Sequence, residues 1–176
     1  MALARLLQGL GKRADIGLPD PPAEQCYFLA GWPDVHHYAD LALSGYSSAI
    51  LDRIGPVREN LPTGLRILNI DHHHGNDSFG EINLTEEISS TCELVYHLVA
   101  GLGYEIDASM ATQLYTGIIF DTGSFRFSLT KPSTFAVAGA LVQLGVRLDD
   151  IANHVFGNKS FGSVKQLGLA IDSMHL

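Results

Sequence analysis

The sequence contains 176 residues, of which 46% are hydrophobic and 17% are charged. This balance is typical of a folded globular chain and excludes an intrinsically disordered one. The formal net charge of −8 does not indicate general electrostatic attraction to nucleic acid, although locally bound cations would still permit small anionic substrates. The length suits one domain with a sizeable core, and residues 1–176 are interpreted as a single domain.

No apolar run approaches the length of a membrane span, and the N-terminus lacks a signal-peptide pattern. We therefore expect a cytoplasmic protein without membrane partners. Cys26 and Cys92 are far apart and lack the spacing of a metal site. Two thiols in a reducing compartment are the expected state, and one disulfide is the alternative.

The first half of the chain begins with a helix and continues with short strands. Residues 1–12 place leucines at helical spacing and end near Gly9 or Gly11, which predicts a surface helix. Four apolar segments are predicted to be strands: 26–30, 40–45, 65–70 and 79–84. The third is continuously apolar, as in a parallel sheet, and the fourth alternates like an edge strand. Polar loops are predicted at 18–25 and 56–64.

Helices dominate the second half of the chain. Five are predicted: 89–103, 107–120, 130–145, 149–157 and 160–176. Ser90 and Glu93 have the spacing of a capping box, Asp107 can act as an N-cap, and Pro132 stands in a first turn. Strands that interleave with helices predict an α/β fold with a mainly parallel sheet and helices on both faces.

An acid and three histidines, Asp71 to His74, directly follow the predicted strand 65–70. Functional groups gather at the carboxyl ends of strands in a parallel sheet, and imidazole together with carboxylate suits a divalent metal. The cluster therefore predicts metal or phosphate chemistry. The alternative is a polar surface turn, in which Gly75 and Asn76 form the bend.

A second candidate group, Asp121, follows the apolar helix predicted over 107–120. A carboxylate at the C-terminus of a helix opposes the macrodipole at a cost of about 0.3–1 kcal/mol, and a metal cation would compensate for it. Alternatively, Asp121 only opens the turn Asp-Thr-Gly-Ser through its side chain. Arg126 follows this turn and is either a phosphate contact or an ordinary surface arginine.

The remaining histidines give weaker signals. His36 and His37 are interpreted as surface loop residues, and their recruitment as metal ligands is the alternative. His97 is expected on the surface or at an interface of its helix, whereas His154 and His175 carry no functional signal.

A DHH turn, an Asn three residues after its second His, and a DTGSF motif occur in two segments: ILNIDHHHGNDSFGEINLTEEISSTCELVYHLV and LYTGIIFDTGSFRFSLTKPSTFAVAGALVQLGV. These segments resemble the DHH phosphoesterase family, nearest to its bacterial branch of nanoRNases and 3′-phosphoadenosine-5′-phosphate (pAp) phosphatases. The resemblance covers residues 40–172 most strongly. It implies hydrolysis of short oligonucleotides or pAp by hydroxide attack at two divalent metals, usually Mn²⁺, with Mg²⁺ as the alternative.

The resemblance also implies roles for individual residues. His72 and Asp121 would be metal ligands. His73 would face the phosphoryl group as a hydrogen-bond donor or general acid, and Asp71 would orient its neighbours. Two further residues are implied near the substrate: Asn76 and Arg126.

Other family features are missing from the positions that the resemblance assigns to them. The H…D-x-D motif and first strand that precede the N-terminal helix are absent, as is the C-terminal substrate-binding domain, so a truncated domain is expected. Tyr46 or Gly45 stands where the second-motif Asp belongs, with Asp52 nearby, and His74 replaces a frequent proline and is not expected to be essential. The missing strand would expose a sheet position for self-association or pairing with another chain.

These departures leave two functions open. One is a metal-dependent phosphoesterase domain in which at most one metal is weakly held. The other is a catalytically inactive or degenerate domain that binds metal or nucleotide weakly, or that serves as an interaction module. Manganese-dependent turnover of a dinucleotide or of pAp would separate the two.

Overall fold

The computed structural model describes residues 1–51, 61–157 and 159–174. Its helices and strands are, in chain order, α1 (Ala2–Gly9), β1 (Ile16–Leu18), β2 (Val35–His37), β3 (Ser48–Leu51), β4 (Arg66–Asp71), β5 (Ile82–Thr85), α2 (Thr91–Gly101), α3 (Ala108–Asp121), α4 (Pro132–Gln143), α5 (Leu148–Ala152) and α6 (Phe161–Asp172). A π-helical turn, Asn153–Gly157, continues α5. Asp52, His175 and most of the predicted loop 56–64 lie outside the described residues.

All strand pairs in the described ranges are parallel. They form a two-stranded sheet, β1–β2, and a three-stranded sheet in the order β3–β4–β5. Helices follow the strands, so the α/β class with parallel pairing is confirmed. β4 is the central strand, and its carboxyl end therefore lies between the ends of its two neighbours, with Asp71 opposite Thr85 of β5. The pairing of an exposed sheet position with another chain stays a prediction.

Two strand predictions are wrong, and three strands were not predicted. Segments 26–30 and 40–45 form turns and short 3-10 helices instead of strands. The strands β1, β2 and β3 contain only three or four residues each, which is too short for an apolar alternation to stand out from chance. The stronger predictions at 65–70 and 79–84 are confirmed as β4 and β5, and β5 is an edge strand of its sheet.

The predicted helices form, and their caps explain where they begin and end. The Ser90 hydroxyl accepts a hydrogen bond from the backbone of Glu93 at 3.1 Å, and the Asp107 carboxylate accepts one from Met110 at 2.7 Å. The helix predicted from 130 begins at Pro132, because proline fits a first turn that needs no backbone N–H bond. Gly145 follows α4 with a φ of 96°, which glycine adopts without strain.

The hydrophobic core lies among the helices, with α3 at its centre. Leu114 and Ile118 of α3 are fully buried and pack with residues of α1, α2, α4 and α5. Leu6 of α1 joins this cluster, so the N-terminal helix covers the core with one face. No helix in the described ranges is long and apolar enough to cross a membrane. Cys26 and Cys92 are not joined by a disulfide.

Gly117 marks a close approach of α3 to α2. A Cβ atom at Gly117 would lie 2.1 Å from Sγ of Cys92, so an alanine forces the contact apart. Overpacking of this kind costs about 1–3 kcal/mol, whereas the higher helix propensity of alanine returns about 1 kcal/mol. We expect Gly117→Ala to lower the free energy of unfolding by about 1 kcal/mol in a urea titration. Gly139→Ala in α4 is the matched control, because its Cβ would meet nothing within 4 Å. Equal effects at the two glycines would contradict the expectation.

Candidate active site

The carboxyl end of β4 carries the polar cluster that the sequence predicted. Asp71 ends the strand, and His72 and His73 follow it into a turn. Asp71 and His72 are buried, with 2% and 8% of their surface exposed, whereas His73 is half exposed. A charged group and an imidazole are thus held inside the fold, which excludes the interpretation of this segment as a simple surface turn.

Asp71 is the acceptor around which the turn is organised. Its Oδ1 accepts hydrogen bonds from the backbone of His72 at 2.8 Å and of His73 at 3.1 Å. Its Oδ2 accepts a hydrogen bond from the side-chain amide of Asn76 at 2.5 Å. Burial alone would raise the pKa of Asp71, but the hydrogen bonds from Asn76 and His73 outweigh it and leave the pKa below its ordinary value. Asp71 is therefore a carboxylate that stays ionised at neutral pH.

His73 is oriented by Asp71. The Nδ1 atom of His73 lies 2.6 Å from Oδ1 of Asp71, and an ionised carboxylate can only accept, so Nδ1 carries the hydrogen. The other ring nitrogen, Nε2, is then the atom that can exchange a proton or a hydrogen bond with a ligand. The arrangement suits a residue that donates to, or moves a proton at, a phosphoryl oxygen.

His72 faces Asp121 across the end of α3. Nδ1 of His72 lies 3.3 Å from the carbonyl oxygen of Ile88, which fixes the hydrogen on Nδ1. Nε2 then presents a lone pair, and it lies 3.6 Å from Oδ2 of Asp121. The structure therefore brings together two side chains that are about fifty residues apart in the sequence, with their donor atoms close enough for one cation to contact both.

In the described part of the chain, the donor atoms that converge here offer ligands for one divalent cation. Imidazole nitrogen with carboxylate oxygen suits Mn²⁺ and related ions. Within residues 1–51, 61–157 and 159–174, however, no group of three or more His, Cys, Asp or Glu side chains is placed to hold a metal. His72 and Asp121 thus form a pair of candidate ligands, and water or substrate oxygens would complete the coordination.

A network of three asparagines supports Asp71 from below. The amide groups of Asn69 and Asn76 hydrogen-bond to each other, with Asn69 Nδ2 donating to Asn76 Oδ1 at 2.7 Å. Asn69 is fully buried and also donates to Asn83 of β5 at 3.1 Å. Both hydrogens and both acceptor positions of the Asn76 amide are engaged inside the protein, since its Oδ1 also accepts from the Ser78 backbone. Asn76 positions Asp71 in this structure, and its predicted contact with substrate stays a prediction.

The turn after Asp121 has an unusual backbone. Gly123, Ser124 and Phe125 all have positive φ angles, of 55°, 63° and 62°. Left-handed conformations at non-glycine residues are uncommon and concentrate at functional sites. The Thr122 hydroxyl helps to hold the turn, since it donates to the carbonyl of Ile118 and accepts from the backbone of Phe125 at 3.0 Å. The DTGSF motif is therefore a folded unit that fixes the end of α3.

Arg126 belongs to the same turn. Its Nε donates to the carbonyl oxygen of Gly123 at 2.6 Å, and the residue is exposed. This bond ties the Arg126 side chain to its own turn, at a carbonyl that lies two residues after Asp121 in the sequence. The predicted contact of Arg126 with a substrate phosphate stays a prediction.

A buried glutamate anchors the segment that fixes His72. Glu93 is fully buried and accepts hydrogen bonds from Ser89 and from the Thr134 hydroxyl of α4, the latter at 3.0 Å. Lys131 also donates to the carbonyl of Glu87. These contacts hold the stretch 87–90, which contains the Ile88 carbonyl, against α4. The sequence marked Glu93 only as part of a capping box and gave no sign of this second role.

The structure changes the interpretation of Tyr46. Tyr46 precedes β3 rather than following a strand, so it does not occupy the position at which a strand-end aspartate would stand. Its phenol donates to Asp15 and accepts from Arg13 at 2.9 Å, and the bond from Tyr46 lowers the pKa of Asp15. The residue that follows β3 in the sequence is Asp52, which lies outside the described residues. Tyr46 is therefore no evidence for a lost ligand.

His36 and His37 lie apart from this cluster, at the end of β2 and not in a loop. His36 lines a cavity of about 730 Å³ together with Asp15 and Asp34, and none of the residues of the D-H-H turn borders it. His37 accepts a hydrogen bond from the backbone of Ala39 at 3.3 Å. His154 stacks on Phe28 with ring centroids 4.3 Å apart, which is a packing role.

A D-H-H turn at the carboxyl end of a parallel strand, opposed by an aspartate at a helix end, is the arrangement expected of a domain of the DHH family. The chain is 34% identical over 160 residues to the bifunctional oligoribonuclease and PAP phosphatase NrnA of Thermus thermophilus, and 29% identical over 148 residues to NrnA of Bacillus subtilis. These alignments cover 88% and 82% of this chain but 48% and 46% of the relatives, so the chain spans about half the length of the curated relatives it matches.

A solved structure has the same fold. An exopolyphosphatase-related protein from Bacteroides fragilis superimposes with a TM-score of 0.86 at 23% identity, over 99% of this chain and 56% of that one. No protein-family model matches the sequence. The sequence relatives and the D-H-H and D-T-G turns agree, and the chain belongs to the DHH phosphoesterase family, in the branch of the NrnA proteins.

Proposed function

We propose that this chain is a phosphoesterase domain that hydrolyses short oligoribonucleotides or pAp with the help of a divalent cation, Mn²⁺ in the first instance. The observation that carries the proposal is the approach of His72 Nε2 to Asp121 Oδ2, at 3.6 Å, beside a His73 that is oriented by Asp71. The names of the NrnA relatives support the substrate class.

Each side chain has a separate part in this proposal. His72 and Asp121 would hold the cation, which supplies Lewis acidity to a phosphoryl oxygen and makes bound water more acidic. When both ring nitrogens carry a hydrogen, His73 would donate from Nε2 to a phosphoryl oxygen or pass a proton to it. Asp71 keeps the His73 ring in one tautomer and one orientation, and Asn69 and Asn76 keep Asp71 in place.

Two relatives point to different phosphate compounds, and the surface near Asp121 favours nucleotides. The NrnA relatives are named for oligoribonucleotides and PAP, whereas the structural neighbour is named as exopolyphosphatase-related. Phe120 and Phe127 flank the D-T-G turn, and both rings are more than half exposed. Exposed aromatic rings are the usual stacking partners of unpaired bases, whereas polyphosphate contains no base that could stack on them.

Phe127 provides a test of this preference. Its ring lies against Gly123, since a Cβ at Gly123 would come within 2.5 Å of the Phe127 ring. One base–aromatic stack contributes about 1–3 kcal/mol. We therefore expect Phe127→Ala to raise KM for pAp at least about fivefold, with little change in kcat. Steady-state kinetics check this, with Phe156→Ala as a control at another exposed phenylalanine. An unchanged KM, or an equal effect of both substitutions, would contradict base stacking at Phe127.

The direct test of the proposal is Mn²⁺-dependent release of products from pAp and from a dinucleotide, measured with purified chain. Turnover that requires both Mn²⁺ and His72 supports the proposal.

The second candidate is a domain that binds a cation or nucleotide weakly without turnover. It is favoured by one observation: the residues that the structure describes supply only a pair of candidate ligands. Metal bound at less than about one ion per chain, with no product formed, would select the second candidate.

A further inference from the structure

The peptide group that joins Ile88 to Ser89 has a hydrogen-bond partner at each end. Its carbonyl oxygen, on Ile88, lies 3.3 Å from Nδ1 of His72. Its N–H, on Ser89, donates to Oε2 of Glu93 at 3.3 Å. A trans peptide group is planar, and its N–H and C=O point in opposite directions. The bond to Glu93 therefore fixes the direction in which the Ile88 carbonyl faces His72.

One carboxyl oxygen of Glu93 collects the hydrogen bonds of this region. Besides the Ser89 backbone, the hydroxyl of Ser89 and the hydroxyl of Thr134 donate to Oε2, the latter at 3.0 Å. In the described part of the chain, the other oxygen, Oε1, is buried without a hydrogen-bond partner. In a capping box the glutamate accepts from the backbone of the N-cap residue, which is Ser90 here, but Glu93 accepts from Ser89, one residue earlier. Capping of α2 thus does not account for the Glu93 side chain.

The series of contacts from Glu93 to His72 is enclosed in the fold. Ser89, Glu93 and Thr134 expose 1% of their surface or less, and His72 exposes 8%. An acidic side chain kept away from water costs stability, and an oxygen without a partner adds to that cost, so core packing alone does not explain Glu93. Hydrogen bonds in series strengthen one another in the protein interior. The bond from Ser89 to Glu93 therefore makes the Ile88 carbonyl a better acceptor for His72.

We propose that Glu93 is a positioning residue for His72 and acts through the Ile88–Ser89 peptide group. It keeps the imidazole hydrogen on Nδ1, so that Nε2 presents its lone pair to a cation, and an acceptor on Nδ1 also makes Nε2 a more basic ligand. Thr134 supports this function from α4, because its hydroxyl holds the carboxyl oxygen that holds the peptide group. The inference deepens the proposed function and rests on it, since it concerns the same ligand.

The tautomer of His72 in the metal-free chain tests the proposal. Nitrogen-15 NMR at a pH of about 8.5, where an ordinary imidazole is neutral, distinguishes hydrogen on Nδ1 from hydrogen on Nε2, and comparison with His72→Ala assigns the signals. We expect hydrogen on Nδ1 in the parent chain and mainly on Nε2 in Glu93→Leu. Glu93→Gln keeps an acceptor oxygen and should keep the hydrogen on Nδ1. Mn²⁺ binding should weaken about 10–100-fold in Glu93→Leu and far less in Glu93→Gln.

Gln113→Leu is the matched control for Glu93→Leu. Gln113 is also buried, and its side chain also bonds a backbone group, the Ala30 carbonyl at 2.6 Å. Its replacement by leucine should leave the His72 tautomer and Mn²⁺ binding unchanged. A Glu93→Leu chain with the parental tautomer, or the same tautomer change in Gln113→Leu, overturns the proposal.

A pair of threonine variants decides the matter if Glu93→Leu does not fold. Thr134→Val removes the hydroxyl that donates to Glu93, and it should shift the tautomers of His72 in the same direction. Thr116→Val is its control, because the Thr116 hydroxyl is also buried but bonds the Thr112 carbonyl of its own helix at 2.7 Å. Unchanged tautomers in Thr134→Val, or equal changes in both variants, overturn the proposal.

The tautomer measurement needs neither metal nor turnover, so it separates this inference from the proposed function. Tautomers that respond to Glu93→Leu in a chain without Mn²⁺-dependent hydrolysis would contradict the proposed function and support the positioning of His72 by Glu93. Hydrolysis that requires His72, in a chain whose tautomers do not respond to Glu93→Leu, would contradict the role of Glu93 alone.

Discussion

Replacement of His72 by alanine is expected to abolish both Mn²⁺ binding and phosphoester hydrolysis. His72 supplies one of two donor atoms that meet at 3.6 Å, and its ring is already fixed by the Ile88 carbonyl. Loss of outer-shell partners alone costs about 10–100-fold in metal affinity or activity, so loss of a ligand should cost at least about 100-fold. Metal titration by calorimetry and initial rates on pAp measure the two effects separately.

His74 gives a matched control for this prediction. It follows in the same turn, but its ring is exposed and pairs with Glu87 at 3.0 Å. His74→Ala should therefore keep metal binding and turnover within about twofold, because a surface pair of this kind contributes little. Asp121→Asn should reproduce the His72→Ala phenotype in weaker form, since it removes the negative charge and one of the two oxygens of the opposite ligand. Equal losses for His72→Ala and His74→Ala would mean that the turn as a whole, and not a cation site, had been damaged.

The parts of this site that the sequence predicted are those with an unusual local pattern. Three histidines after an acid at a strand end, and an acid at the end of an apolar helix, can be recognised from the sequence alone. The approach of His72 to Asp121 at 3.6 Å cannot, because it depends on how α3 packs beside β4. The resemblance to a family was needed to connect Asp121 with His72, and the structure agrees with that connection.

The residues that the sequence did not reveal are those whose roles depend on neighbouring strands and helices. Asn69 stands in the apolar run 65–70, where a polar side chain that is fully buried must have partners, and this could have marked it in advance. Its partner Asn83 could not be identified from spacing, since the pair depends on the register of β4 with β5. The same holds for Glu93, whose bond to Thr134 joins two helices.

The Tyr46 interpretation failed for a related reason. The sequence suggested a strand at 40–45, which would have put Tyr46 at a strand end, but the apolar residues there are too few to bury a strand and form a 3-10 turn. The actual strand, β3, begins at Ser48. An error of a few residues in a strand boundary thus placed Tyr46 after a strand instead of before one. Only a residue that follows a strand can belong to a site at the carboxyl ends of a parallel sheet.

The second large effect is expected from Asp71→Asn. An asparagine keeps the shape of Asp71 but replaces one acceptor oxygen by a donor. That donor would face either the amide hydrogens of Asn76 or the hydrogens of the His72–His73 turn. Either placement leaves donors facing each other, and the second also frees His73 from its tautomer. The first withdraws the support of Asn76 from the residue that orients His73, so we expect kcat to fall about 100-fold or more in both cases. Asp77→Asn is the control, since Asp77 is an exposed carboxylate in the same loop.

Asp71→Asn should also change how stability depends on pH. The pKa of Asp71 is below its ordinary value in the fold, so its ionised form is stabilising above the unfolded-state pKa of about 3.9, and the stabilisation is lost as pH falls through the folded-state pKa. The difference in unfolding free energy between the parent chain and Asp71→Asn should therefore be constant from neutral pH to about 5 and shrink below about 4. Urea titrations at a series of pH values measure this difference. A gap that stays constant down to pH 3, or widens there, would mean that the hydrogen bonds of the turn do not depend on the charge of Asp71. In that case the orientation of His73 would need another source.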